Sequence, residues 1–195
     1  MKDYPTLNSD RLILRQFHPE EAMVVKNLAG DYKIAHGCLT VPHPYGIGLA
    51  ESWIACHEEW YSSGIQLVLA IIRKEDGWLI GAVGLMLDQD HNRAEIGYWI
   101  GVPFWGCGYA TEAAEAAVAY TFEEMLMNRV TATIFMRNPA SGRVLEKIGM
   151  RQEGILKKHL LKEGTYEDVL VFGILHEEWR ADIGRRKRHI SRAYQ

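Results

Sequence analysis

The residues best suited to chemistry lie in one stretch, Asn92 to Glu112 (NRAEIGYWIGVPFWGCGYATE). Glu95 is the single carboxylate in the uncharged run Ala94 to Val102, and a carboxylate so placed can take a proton from a substrate, directly or through water. The turn Trp105-Gly106-Cys107-Gly108-Tyr109-Ala110 then runs straight into the Ala-rich segment Thr111 to Met127. Backbone N–H groups gather at such a helix start and bind anions, phosphates above all. Glycine suits the turn because it reaches positive φ without strain and lets a ligand approach the backbone closely. A carboxylate therefore stands beside a candidate phosphate cradle.

Each feature has a plainer reading. Glu95 can be a strand-face acid paired with Arg93 or another cation. The glycines can serve tight strand-to-helix packing alone. A dinucleotide site would require a third glycine where Thr111 stands and an acid ending the next strand, which reads Ile134-Phe135-Met136-Arg137. A P-loop would require Gly-Lys-Ser/Thr, which does not follow.

The elements that must hold these residues read as follows. Arg11 to Phe17 alternates charged and apolar residues and is the first strand. His18-Pro19-Glu20-Glu21 starts a helix carrying Ala22, Val25 and Leu28 on one stripe, closed by Gly30. Asp31 to Gly48 is rich in Gly, Pro and His and reads as loop with one short helical turn. Leu49 to Ser63 is helical, with Trp53, Cys56, His57 and Trp60 at i, i+3, i+4 and i+7. Strands Gln66 to Arg73, Trp78 to Leu87 and Ala94 to Val102 form an antiparallel meander. After the Ala-rich helix come a strand, Arg129 to Met136, and a short helix, Pro139 to Ile148, which Asn138 and Ser141 are suited to cap. A hairpin of Gln152 to Leu161 and Tyr166 to Leu175 leads to a last helix, Glu177 to Ile183. The pattern predicts one α+β domain over residues 1–183 with a mostly antiparallel sheet, and a basic tail over 184–195.

At 195 residues and 48% hydrophobic content the chain can bury a core. The formal charge of -3 gives no general pull toward nucleic acid or anionic membrane. The exception is the run Arg185-Arg186-Lys187-Arg188, which can touch RNA or simply be a solvated terminus. No apolar run approaches the length of a bilayer span, and no signal peptide is recognised. Three cysteines, Cys38, Cys56 and Cys107, cannot all pair within one chain, so reduced thiols and a cytoplasmic location are expected.

Four segments in order, RLILR, AEIGYWI with FWGCGYATEA, RNPASGRVLEKIGM and DVLVFGILHEEW, resemble the GNAT acetyltransferases, within them the RimJ and RimL branch of ribosomal-protein N-terminal acetyltransferases. The likeness runs from about Leu7 to Trp179. It implies a mostly antiparallel sheet whose fourth and fifth strands splay apart, with helices on both faces and acetyl-CoA lying in the gap. It also implies transfer of an acetyl group to a primary amine in a ternary complex. By the same likeness Tyr98, Trp99 and Ile100 pair their backbone with the pantetheine arm, and an N–H near Ile100 faces the developing oxyanion. Trp105, Gly106, Cys107, Gly108, Tyr109, Ala110 and Thr111 wrap the pyrophosphate. Trp105 replaces the family's usual Gln or Arg, which leaves the phosphates to backbone N–H groups.

On this resemblance Glu95 is the base, and Asn138 and Ser141 belong to both the catalytic and the CoA-binding set. The tyrosine many of these enzymes carry seven residues after the asparagine is Leu145 here, which shifts attention to Ser141 near the CoA sulfur. Tyr32, Trp53 and Trp60 are candidates to line the acceptor pocket, although the Trp53 to Trp60 spacing equally suits a core stripe. The acceptor is expected to be a protein N-terminus, with a small amine, amino acid or antibiotic as the alternative. A silent CoA-binding module is the alternative from another class. His36, Cys38 and His43 match no metal-ligand spacing, so no metal is expected. Cys107 reads as an incidental thiol, and apolar strand and helix surfaces would permit a homodimer.

Overall fold

The structure, a computed structural model, describes residues 3–181. Among the described residues there are eight strands: β1 (Leu7–Asn8), β2 (Leu12–Arg15), β3 (Gln66–Arg73), β4 (Leu79–Asp88), β5 (Arg93–Ile100), β6 (Arg129–Phe135), β7 (Arg151–Lys162) and β8 (Thr165–Leu175). They form one sheet in the order β1-β2-β3-β4-β5-β6-β8-β7. The strand pairings are antiparallel except for β5 and β6, which are parallel.

That exception shapes the molecule. β5 pairs with β4 along its whole length, from Arg93 opposite Asp88 to Ile100 opposite Gly81. With β6 it pairs only at Arg93, Ala94 and Glu95, opposite Arg129, Val130 and Thr131. From Ile96 onward the two strands separate. These are the fourth and fifth strands counted from Arg11; the two-residue β1 precedes them and has no counterpart among the expected strands.

Helices cover both faces. α1 (Ala22–Ala29), α2 (Tyr32–Gly37), α3 (Leu49–Ala55) and α4 (His57–Ser62) precede the meander, while α5 (Tyr109–Glu123) follows β5 and α6 (Pro139–Lys147) follows β6. The core under α1 and α3 joins Val25, Ala35 and Ile54 to Val68, Ala70 and Ala82. The core under α5 joins Ala113, Ala114, Ala117, Val118 and Phe122 to Leu12, Leu69, Ile96 and Val130. Alanine along α5 lets the helix lie close to the sheet, since no longer side chain intervenes.

The single helix expected over Leu49 to Ser63 is two. The chain tightens at Cys56, whose N–H donates to Trp53 O at 3.3 Å, an i to i−3 spacing that interrupts the α-helical ladder. The helical turn expected between Asp31 and Gly48 is α2, capped by Asp31, whose carboxylate accepts from Lys33 N. Residues 176–181 are helical, and Phe122 holds them to α5 through ring contacts with His176 and Trp179 at 5.3 Å each. The domain boundary at residue 183 and the basic run Arg185 to Arg188 lie outside the described residues.

Phe122 is fully buried at this junction. Phe122→Ala leaves a cavity between α5, the sheet and the terminal helix, and should lower unfolding stability by about 3–5 kcal/mol. Urea denaturation of the variant beside the parent chain measures this directly.

Candidate functional site

Side chains alternate across β5, so its two faces carry different chemistry. Ala94, Ile96 and Ile100 are buried in the core under α5, with Tyr98 packed against it, whereas Trp99 packs against the core under α1 and α3. Glu95 and Gly97 share the parity of Trp99. Glu95 and Tyr98 therefore look to opposite faces of one strand, at the point where β6 departs.

A cleft of about 520 Å³ opens there. Glu95, Tyr98, Trp99, Asn138, Ser141, Trp53 and Trp60 all line it. Of the expected site residues, Tyr32, Ile100 and the whole turn from Trp105 to Thr111 do not. Tyr32 is half exposed, with its ring against His36 and His43 at 5.5 and 5.2 Å. Among the described residues no three His, Cys, Asp or Glu side chains come together as a metal site.

Glu95 is half-buried and has no ion-pair partner among the described residues. Arg93, its alternative partner, instead holds Asp88 at 2.8 Å. The two stand on adjacent β-strands, and Arg93 is exposed at the sheet's end.

The Tyr98 hydroxyl lies 3.0 Å from Ser141 Oγ and donates toward Ser141 O at 3.1 Å. Burial pushes its phenol well above the usual tyrosine range, against the lowering effect of the Ser141 hydrogen bond. Tyr98 therefore keeps its proton. Asn138 caps α6: its Oδ1 accepts from Ser141 N at 3.2 Å, and its Nδ2 donates to Gly37 O at 3.1 Å. Capping thus fixes Ser141 in the first turn of the helix. Leu145 is fully buried in the core under α5. The Tyr98 side chain was legible in advance only as a parity, since nothing in β5 names its partner on α6.

The segment facing the cleft from α2 onward is tied down from the far half of the chain. Arg137 donates to His36 O at 3.0 Å while ion-paired with Glu167, and Lys162 Nζ donates to Leu39 O at 3.2 Å and Val41 O at 2.6 Å. Burial pushes the Cys38 thiol up to about 11, with Lys162 pulling the other way. Cys38 is therefore an un-ionised wall residue.

β5 leads out of the cleft into the glycine turn. Gly106 and Gly108 sit at φ 77° and 84°, the left-handed region that favours glycine. A side chain at Gly106 would meet nothing within 4 Å, so the space over the turn is open. None of the turn and loop backbone bonds is donated by Gly106, Cys107, Gly108, Tyr109, Ala110 or Thr111, as expected of a helix start with free first-turn donors. Trp105 folds back, its Nε1 donating to Ile100 O at 2.6 Å, so its ring nitrogen is not available to the turn. Cys107 is exposed.

An unexpected clamp braces the turn from the connection between β1 and β2. Glu112, in the first turn of α5, accepts from Arg11 N at 2.7 Å, Arg11 Nε at 2.8 Å and Ser9 Oγ at 2.8 Å, and Arg11 Nη1 donates to Cys107 O at 3.0 Å. Burial alone would raise the Glu112 carboxyl, but the bonds from Arg11 and Ser9 outweigh it and hold the group below its usual range. The pair spans a hundred residues of sequence, so no local pattern announces it.

Comparison with known proteins supplies the family context. The model of the acetyltransferase (GNAT) domain matches residues 11–151. The uncharacterized N-acetyltransferase YoaA of Bacillus subtilis is 32% identical, covering 88% of this chain and 97% of its own. The putative ribosomal N-acetyltransferase YdaF of the same organism is 38% identical over 55% of this chain and 59% of its own. Among solved structures, Mycobacterium smegmatis RimJ in complex with CoA-disulfide shares the fold with a TM-score of 0.81 at 24% identity, covering 90% of both chains.

Behind the wall formed by Trp53 and Trp60 lies His57, 1% exposed, with neither ring nitrogen hydrogen-bonded among the described residues. Its ring stands 4.4 Å from that of Trp53 at 89° and 5.3 Å from that of Phe17. Burial pushes its pKa down from 6.5 to about 4. The unfolded imidazole binds its proton near 6.5 and the folded one only near 4, so stability falls as pH drops through this window and levels off below it. The loss should reach about 2–3 kcal/mol. Urea denaturation between pH 7.5 and 4 should show a shallower decline for His57→Leu than for the parent chain.

Proposed function

The chain belongs to the GNAT acetyltransferase family and is an acetyl-CoA-dependent N-acetyltransferase, and we propose that it acetylates the α-amine at a protein or peptide N-terminus by direct transfer in a ternary complex. The observation that carries this reading is the opening between β5 and β6, with Glu95 on one face of β5 and the Tyr98–Ser141 hydroxyl pair on the other. A thioester threaded through that opening meets an amine from the Glu95 side, and its sulfur departs toward Ser141. YdaF is named a putative ribosomal N-acetyltransferase, which favours a protein acceptor.

Each residue then has one task. Glu95 takes the proton from the attacking amine, directly or through water, as the new C–N bond forms. The Ser141 hydroxyl donates a hydrogen bond to the sulfur as the C–S bond breaks, which stabilises charge where it develops. Tyr98, kept protonated by burial, and Asn138, through its cap, are positioning residues for Ser141. The backbone of Tyr98, Trp99 and Ile100 borders the pantetheine arm, and the N–H groups from Trp105 to Thr111 hold the pyrophosphate. The Arg11–Glu112 clamp keeps that turn rigid. Trp53 and Trp60 border the acceptor, while Tyr32, turned toward His36 and His43, has no part in this reading.

Release of free thiol from acetyl-CoA, followed across a panel of N-terminal peptides and small amines, tests the reaction. Glu95→Gln should lower kcat by roughly 10²- to 10⁴-fold and Ser141→Ala by about tenfold or more, both with acetyl-CoA affinity unchanged. Full turnover by either variant would remove the role given to that residue, and faster turnover of small amines than of peptides would overturn the acceptor.

A further inference from the structure

Glu95 is the only charged side chain among the described residues lining the cleft. No described Lys, Arg, His or Asp shares that wall. Two cations that hold the segment bordering the cleft are committed to it: Arg137 to Glu167 and His36 O, and Lys162 to Leu39 O and Val41 O. On the face to which Glu95 belongs, the wall is lined mainly by Val25, Ala29, Leu49, Trp53 and Trp60, with Met86 directly opposite Glu95 and the uncharged amide of Gln66 beside it. His57 behind the tryptophans is neutral above about pH 4, so it adds no charge at working pH.

A cleft of this kind selects its acceptor by what it cannot pair. A polyamine would bring a second ammonium with no second carboxylate to meet it. A free amino acid would bring a carboxylate with no cation to meet it, close to Glu95. Burying either charge unpaired is costly. In a peptide the same carboxyl is a neutral amide, and an apolar side chain gains by leaving water for an aromatic wall.

We infer that the acceptor is a monoamine whose other substituents are uncharged and apolar, which for a peptide means an N-terminal residue with a large apolar side chain. The inference rests on the acetyltransferase reading above and narrows it. Aliphatic packing on Leu49, Trp53 and Trp60 discriminates by size, and the missing counter-charges discriminate against ions.

The test uses the full chain with acetyl-CoA and tetrapeptide amides that differ only at the N-terminal residue: Leu, Ala, Lys or Asp. Free leucine and spermidine complete the set. The Leu peptide should exceed the Ala peptide in kcat/KM by about tenfold or more, with the Lys and Asp peptides lower still and free leucine and spermidine at background. A Lys peptide, spermidine or free leucine that matches the Leu peptide overturns the inference, as do equal rates for all four peptides. In a complementary gain of function, Leu49→Glu adds a carboxylate at the first residue of α3, where an acid suits the helix start. It should narrow the preference for Leu over Lys by about tenfold, and an unchanged preference removes Leu49 from the wall. Release of thiol without apolar preference overturns this inference alone. Binding of acetyl-CoA without thiol release to any amine overturns it together with the proposed function.

Discussion

The short parallel contact between β5 and β6 is the constraint on which the rest of the molecule depends. Three residue pairs join the two halves of the sheet, and beyond Glu95 the backbone groups of β5 that face β6 have no strand opposite them. Backbone donors and acceptors left in this way are strongly disposed to pair, and an extended amide-bearing substrate arm is suited to do so. The antiparallel ladder to β4 on the other side runs the whole length of β5, so the strand stays extended past the point where β6 leaves it.

Two devices keep the gap from closing or drifting. On one side the Arg11–Glu112 clamp ties the start of α5 to the connection between β1 and β2, so the glycine turn is anchored at its outer edge. On the other, Arg137, Asn138 and Lys162 hold the carbonyls of His36, Gly37, Leu39 and Val41. Both use charged or amide donors on backbone or carboxylate acceptors, the stronger class of hydrogen bond where an ion is involved. The cleft is thus assembled from N-terminal and C-terminal halves that neither could form alone.

Strands were the most legible elements, β6 because its burial alternates with period two and β3 because it is a short continuous apolar run bounded by turn residues; both fall within a residue of their expected limits. The glycine turn and the α6 cap were equally plain, since Gly106, Gly108 and Asn138 are residue types demanded by local backbone geometry. The break at Cys56 was not, because helical periodicity in Trp53, His57 and Trp60 continues across it. Aromatic spacing also left Trp53 and Trp60 divided between core and pocket. In the fold they are both, half-buried against Phe17 and His57 while lining the cleft.

The sequence by itself determined the local chemistry of this protein: a carboxylate on a strand, a glycine turn opening a helix, a capped helix and the order in which they occur. These follow from periodicity and from the backbone demands of Gly, Pro and Asn, which act over a few residues. Only the tertiary structure decided that Arg93 serves Asp88 and that, among the described residues, Glu95 has no ion-pair partner and is the one charge lining the cleft, and that Tyr98 meets Ser141 across the gap. Each of these is a contact between distant segments or an absence of one, and so is set by how the strands splay and the helices dock.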